Sequence, residues 1–381
     1  MIKVLSIFGT RPEAVKMAPI VKALERHADQ IESTVCVTAQ HRQMLDQVLR
    51  LFDIQPHFDL NVMQPNQTLA QLTANVLMGL DPILTQVKPD WVLVQGDTTT
   101  VMAAALAAFY RQINVGHVEA GLRTWNKYHP FPEEVNRKIA TSICDLHFCP
   151  TEVSRQNLLR EGVPNATIRV TGNSVIDALN MAAEMPYDPN AGTSSPLKNV
   201  PWDKRLILVT AHRRENFGEP LEQICAALRE IALAYPADVH LVYPVHLNPN
   251  VQSVAKRLLA DVPNITLTEP LDYLPLVYLM KRATLVITDS GGIQEEAPGL
   301  GKPVLVLRET TERPEAVTAG TVRLVGADKE QIVLWTRRLL DDAGEYTKMA
   351  RAVNPYGDGH ASERIVQALL EGFCTGKHLE S

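Results

Sequence analysis

The sequence predicts an α/β protein of two Rossmann-like domains, each on a mostly parallel sheet, and three observations predict it. Short apolar runs alternate with segments of helical spacing, the alternation comes in two blocks, and a proline-rich stretch without apolar period separates the blocks. At 381 residues with 45% hydrophobic content, the chain is long enough for two or three domains, each with its own core.

In the first block the apolar runs fall at 3–8, 33–38, 91–95, 115–118, 146–149 and 168–170, with helical spacing between them, as at 19–24 and 43–51. In the second they fall at 206–210, 239–243, 265–267, 285–288, 303–307 and 322–325. Each run ends in a polar or glycine-containing turn, the β-α-β order that makes strands parallel. Pro186, Pro189, Pro196 and Pro201 mark a linker. The expected organisation is therefore a first domain over 1–180, a linker over 181–201 and a second domain over 202–360. A last helix over 361–381 follows the break Asn354-Pro355-Tyr356-Gly357-Asp358-Gly359 and is long enough to pack back on the first domain.

The 37 basic and 43 acidic residues leave a net charge of −6 with the signs interspersed. No field suited to nucleic acid results, so an anionic ligand has to be held by a few local Arg, His or backbone N–H groups. The five cysteines form no Cys-x-x-Cys pair and are expected to be reduced structural thiols. The N-terminus reads as a first strand rather than a leader, and no apolar run approaches the roughly 18 residues that span a bilayer. A soluble, cytoplasmic protein without a membrane partner is the expectation.

Ligands of open parallel sheets bind beyond the carboxyl ends of the strands, so the residues following each run carry the chemistry. They are polar throughout: Gly9-Thr10-Arg11-Pro12-Glu13, Gly96-Asp97-Thr98-Thr99-Thr100 and Glu119-Ala120-Gly121-Leu122-Arg123 in the first block; Ala211-His212-Arg213-Arg214-Glu215-Asn216, Asp289-Ser290-Gly291-Gly292 and Arg308 to Pro314 in the second. Gly-x-Gly-x-x-Gly is absent after the first run, and Glu296 stands where a P-loop ending at Gly301-Lys302 would need glycine.

Ser290, Gly291 and Gly292 open a helix whose free N–H groups suit a phosphate, and Glu296 one turn later suits a ribose diol. Arg11, Lys16 and Arg313 would complete a diphosphate clamp. Asp97, Glu119 and Glu133 are candidate acid/base groups, because carboxylates in different environments can remove and return a proton within one site. His212, among arginines, could protonate or support a leaving phosphate. His117 and His246 also stand at strand ends, but no ligand spacing supports a metal site.

Together, Phe8-Gly9-Thr10-Arg11-Pro12-Glu13-Ala14, Gly96-Asp97-Thr98-Thr99-Thr100, His117-Val118-Glu119-Ala120-Gly121-Leu122-Arg123, His212-Arg213-Arg214-Glu215-Asn216 and Thr288-Asp289-Ser290-Gly291-Gly292-Ile293-Gln294-Glu295-Glu296 resemble the bacterial non-hydrolysing UDP-N-acetylglucosamine 2-epimerases. The resemblance covers essentially the whole chain. It implies a GT-B arrangement whose interdomain cleft holds the active site and closes on substrate, and a homodimer. It implies interconversion of UDP-GlcNAc and UDP-ManNAc with no nicotinamide or other cofactor, feeding a ManNAc-containing surface polysaccharide.

Carried over position by position, Ser290, Gly291 and Gly292 are similar to diphosphate binders, Glu296 to a ribose contact, Arg11 and Arg313 to phosphate or sugar-nucleotide contacts. Asp97, Glu119, Glu133 and His212 resemble the catalytic set. Leu271 and Leu276 stand where some relatives hold the uracil with a Gln and an aromatic residue. Gln40, Gln43, Glu133, Arg213 and His246 resemble a second UDP-GlcNAc site that activates some members, although a basic position of those relatives is Asn66 here.

Two other readings fit part of the pattern. A related GT-B enzyme, whether an epimerase on a modified UDP-HexNAc, a hydrolysing epimerase or a glycosyltransferase, would share the phosphate grip. A nucleotide-sugar sensor would share it too but has no use for three acid/base carboxylates.

Overall fold

The computed structural model describes residues 1–38, 42–64, 66–191 and 195–374. Two compact units emerge, one of Met1–Ala178 with Tyr356–Ser381 and one of Leu179–Pro355.

In the first unit strands β1 (Ile2–Phe8), β2 (Ile31–Val37), β3 (Phe58–Asp59), β4 (Trp91–Gln95), β5 (Asn114–Val118), β6 (Leu146–Cys149) and β7 (Ile168–Val170) alternate with helices. The helices are α1 (Arg11–Arg26), α2 (Arg42–Leu51), α3 (Leu69–Val87), α4 (Thr99–Tyr110), α5 (Glu133–Ile143), α6 (Glu152–Arg160) and α7 (Ser174–Glu184). The second unit holds β8 (Arg205–Thr210), α8 (Glu219–Ala234), β9 (Val239–Pro244), α9 (Pro249–Leu259), β10 (Ile265–Thr268), α10 (Tyr273–Arg282) and β11 (Ala283–Thr288). It continues through α11 (Gly291–Gly299), β12 (Val304–Val306), α12 (Pro314–Ala319), β13 (Val322–Leu324), α13 (Lys329–Asp341) and α14 (Ala343–Ala350); α15 (Ala361–Cys374) returns to the first unit.

Both sheets are parallel, in the orders β3-β2-β1-β4-β5-β6-β7 and β10-β9-β8-β11-β12-β13. Each is doubly wound, which explains the unbroken apolar runs: helices cover both faces, so a strand such as Arg205–Thr210 buries consecutive side chains. The order reverses between β1 and β4 in the first sheet and between β8 and β11 in the second. Those switch points open the crevices where such folds bind ligands.

One strand was not legible in the sequence. The two residues of β3 sit at the sheet edge after Pro56, too short to show a period. The linker expected over 181–201 also differs in kind. Its first residues are helical, because α7 meets no breaker before Pro186. Among its described residues Tyr187 packs beside Tyr278 of the second unit at 5.0 Å between ring centroids, with Trp202, just past the linker, at 5.2 Å, and Leu197 and Val200 are buried. Residues 356–360 likewise belong with the first unit rather than the second.

In α15, the first-turn N–H groups of Ala361 and Ser362 donate to the buried Asp177 of α7 at 3.2 and 2.8 Å. This helix packs on α1, with Arg26 and Glu363 paired. Cys36, Cys149 and Cys225 are free thiols that burial pushes up to about 12. Among the described residues no helix is long and apolar enough to cross a membrane.

Candidate active site

At the first switch point β1 leaves through Gly9, where a Cβ would stand 1.9 Å from Thr38 Oγ1, so only glycine lets the turn pass. Thr10 then caps α1 in a reciprocal box with Glu13. Glu13 is buried; its Oε2 accepts the Gly9 and Thr10 N–H groups at 2.9 and 2.6 Å, and its Oε1 accepts the Thr98 hydroxyl at 2.6 Å. Burial raises its pKa against the lowering effect of those bonds. The turns after β1 and β4 are thereby locked together.

Glu119 ends β5 with φ +63°, a sparsely populated conformation for a residue with a side chain, and is 9% exposed. Its Oε1 and Oε2 lie 2.6 and 2.7 Å from Lys16 Nζ. The Gln95 amide donates to Oε2 and the Asn173 amide to Oε1 at 3.1 Å. Beside it His117 is fully buried, with Nε2 2.6 Å from the Gly96 carbonyl, and burial holds the imidazole down to about 4. It is a neutral donor that pins the turn bearing Asp97.

Asp97 Oδ2 accepts Arg137 Nε and Nη2 at 3.0 and 2.6 Å, while Oδ1 takes no hydrogen bond among the described residues. Arg137 Nη1 also reaches the fully buried Glu134 at 3.0 Å, and Glu134 in turn accepts the N–H groups of Thr124 and Trp125 at 3.0 Å each. The first turn of α5 thus ties Asp97 to the 124–125 loop. Glu133 begins this helix, and its Oε2 is buried with no hydrogen-bond partner among the described residues.

At the second switch point the buried Asp289 organises the turn after β8. Its Oδ2 accepts the His212 and Arg213 N–H groups at 2.7 and 2.8 Å and the Asn216 amide at 3.0 Å. Its Oδ1 lies 3.1 Å from His212 Nδ1. Burial pushes this carboxyl up, but the His212 imidazole and the N–H groups outweigh it and hold the carboxyl below its ordinary value. His212 stacks on His246, with 5.5 Å between centroids and 14° between planes.

Ser290 caps α11 without using its hydroxyl on the helix, and Gly291 and Gly292 follow, where a Cβ would meet Arg213 Nη2 and Glu296 Oε2 respectively at 3.7 Å, ordinary van der Waals contact. Tyr273 donates to Glu296 Oε1 at 2.7 Å and orients it. A cavity of about 180 Å³ is lined by Thr210, His212, His246, Leu271, Leu276 and Ser290 among others.

The geometry therefore gathers Asp97, Glu119 and Glu133 around one switch point, and His212, His246, Ser290, Leu271 and Leu276 around the other. Arg11, at the start of α1, pairs with no carboxylate among the described residues, and neither does Arg213. Two clamp residues stand differently from expectation. Lys16 Nζ lies 2.6 Å from Glu119 Oε1, and Arg313 Nε is bonded to the buried Glu295, so each cation also compensates a carboxylate. Gln40 lies outside the described residues, as does the side chain of Gln43, whose backbone belongs to α2. Sequence reasoning missed Glu13, Gln95, Asn173, Tyr273 and the orienting role of Asp289. Asn173 follows β7, so the strand-end rule could have flagged it; Asp289 stands in the strand-end turn already singled out, but without that role. Among the described residues no group of three His, Cys, Asp or Glu could hold a metal ion.

Two doubly wound units with charged and anion-gripping residues gathered at their switch points define a nucleotide-binding α/β enzyme. A family model described as UDP-N-acetylglucosamine 2-epimerase matches residues 22–370. The UDP-N-acetylglucosamine 2-epimerase of Salmonella typhimurium is 59% identical over 370 residues, 96% of this chain and 98% of that protein. That of Escherichia coli K12 is 58% identical over the same shares. The crystal structure of the Neisseria meningitidis UDP-GlcNAc 2-epimerase bound to UDP-GlcNAc is 52% identical and superposes with a TM-score of 0.85, covering 97% of this chain and 100% of that one. The chain belongs to the UDP-N-acetylglucosamine 2-epimerase family.

Proposed function

We propose that this enzyme interconverts UDP-GlcNAc and UDP-ManNAc by inversion at C2 of the sugar. The observation that carries the reading is a set of carboxylates at one switch point and a phosphate-suited helix start beside an oriented histidine at the other, in a chain of the epimerase family. Its product would supply ManNAc for surface polysaccharide.

The C2 proton is not acidified by a carbonyl, so the reaction has to borrow the leaving group next door. A base takes the C2 proton while the C1–O bond breaks, its electron pair departing on the β-phosphate of UDP and leaving a C1=C2 glycal. UDP then re-adds at C1 as an acid returns a proton to the opposite face of C2, and no electrons are exchanged with a cofactor. Asp97 and Glu133 are the groups with uncommitted oxygens and take the proton-transfer roles. Glu119, supplied with donors on both oxygens, serves as a fixed anion that orients Lys16. His212 supports the departing charge, Gly291 and Gly292 offer N–H groups to the diphosphate, Glu296 takes the ribose, Leu271 and Leu276 hold the uracil, and Arg11 and Arg313 add positive charge.

A homodimer fits the exposed Met78, Phe109, Tyr110, Val135 and Ile139 of α3 to α5, an apolar surface of the kind that pairs with a second copy. A second UDP-GlcNAc as activator is supported by the uncompensated Arg213 and the exposed His246; sigmoidal kinetics in UDP-GlcNAc would test it. A cytoplasmic location follows from the substrate.

Proton NMR of the protein with UDP-GlcNAc in D2O tests the reaction. Appearance of UDP-ManNAc carrying deuterium at C2 is expected. Accumulation of free UDP without C2 exchange would replace this reading with hydrolysis or transfer.

A further inference from the structure

We propose that Asn173 is a positioning residue for Glu119: its amide holds that carboxylate against Lys16, and its backbone ties the carboxylate to the point where the chain re-enters the first unit. The inference rests on the reading of Glu119 as a charged member of the site.

Asn173 is 3% exposed and uses three of its polar groups on three different partners. Its Nδ2 donates to Glu119 Oε1 at 3.1 Å, its Oδ1 accepts the Val175 N–H at 3.1 Å in the first turn of α7, and its own N–H donates to the Tyr356 carbonyl at 2.7 Å. An amide accepts from the helix on one atom and donates to a carboxylate from another, a reach that the single oxygen of a hydroxyl side chain lacks. An aspartate would fit the space but would set a second anion against Glu119.

The seat is built by close backbone approach. Gly172 (φ +90°) faces Gly357 (φ +128°), and a Cβ on Gly172 would lie 3.3 Å from the Gly357 Cα. The chain leaves the first unit after Ala178 and returns at Tyr356. Asn173 thus stands just before the exit and is bonded to the first residue of the return, with the site carboxylate on its side chain.

The Glu119 oxygens receive two contacts from Lys16 and one each from Gln95 and Asn173, which fills the acceptor capacity of a carboxylate at about four lone-pair sites. Lys16 of α1 and His117 of β5 are titratable groups beside it, and burial keeps the latter neutral above about 4. Loss of the Asn173 donor therefore disfavours the ionised Glu119.

The test compares the wild type with Asn173→Asp and Asn173→Ser. Asp keeps the oxygen that accepts from Val175 and the size of the residue but turns the donor into an acceptor; Ser keeps a capping oxygen and cannot reach Glu119. The readouts are deuterium incorporation at C2 from D2O under saturating UDP-GlcNAc across pH, KM, and UDP binding by calorimetry. We expect kcat to fall about 10- to 100-fold with KM changed by less than about threefold. We also expect the acid limb of the kcat profile to move to higher pH in the order wild type, Ser, Asp, with UDP affinity retained. A wild-type profile and turnover in Asn173→Asp overturns the inference, as does loss of UDP binding in step with turnover. If Asn173→Asp does not fold, Asn173→Ser decides on the same readouts. Absence of C2 exchange in the wild type removes the epimerase reading itself, a result distinct from exchange that is insensitive to Asn173.

Discussion

His212 Nδ1 stands 3.1 Å from Oδ1 of Asp289, whose other oxygen is committed to two backbone N–H groups and the Asn216 amide. The carboxylate cannot rotate without breaking those bonds, so the imidazole is aimed by a fixed anion and turns its Nε2 away from the protein's own acceptor. Under the proposed reaction, this contact would present the histidine to the departing phosphate in one orientation.

Asp289→Asn keeps the shape of the pair and removes its charge. Turnover should fall about 10- to 100-fold, while UDP affinity stays within about threefold, because the amide still accepts from part of the turn. Initial rates and calorimetry with UDP check this; equal losses in both would mean that Asp289 merely maintains the turn.

His117 and His147 lie opposite each other on β5 and β6, and burial holds them down to about 4 and about 3, with His117 and Arg123 adding to the effect on His147. The sign follows directly. Between about 6.5 and these values the unfolded chain binds protons that the folded chain refuses, so stability falls as pH falls through that window, by about 1.4 kcal/mol per pH unit for each full proton. Glu13, raised by burial, works in the opposite sense above 4.5. A His147→Gln variant should therefore lose less of its thermal midpoint between pH 6.5 and 4.5 than the wild type does. Parallel curves for the two proteins would show that His147 is not the proton acceptor.

Leu276 lines the 180 Å³ cavity with Leu271 beside the His212–His246 stack. An apolar wall contributes equally to substrate and transition state, so Leu276→Ala should raise KM for UDP-GlcNAc about 5- to 30-fold with kcat within about threefold. An unchanged KM with UDP-GlcNAc would place the uracil elsewhere.

Much of this molecule was legible before folding was considered. Apolar runs such as those of β1, β4, β8 and β11, and the polar turns after them, are local signals, and local signals determine which segments are strands and which residues stand at their carboxyl ends. Asp97, Glu119, His212 and Ser290 could be picked out for that reason alone. The two residues of β3 carried no period, and Tyr187 and Trp202 gave no sign that they would pack around Tyr278.

What the tertiary structure decided is which of these residues meet. Lys16 and Glu119 are 103 positions apart, Asn173 and Glu119 54, and His212 and Asp289 77 between backbone and side chain. Those meetings depend on sheet order, which sets β1 beside β4 and β8 beside β11. Hydrophobic periodicity reports only how each segment buries itself, so it gave no sign that Lys16 and Asn173 would both reach the Glu119 carboxylate.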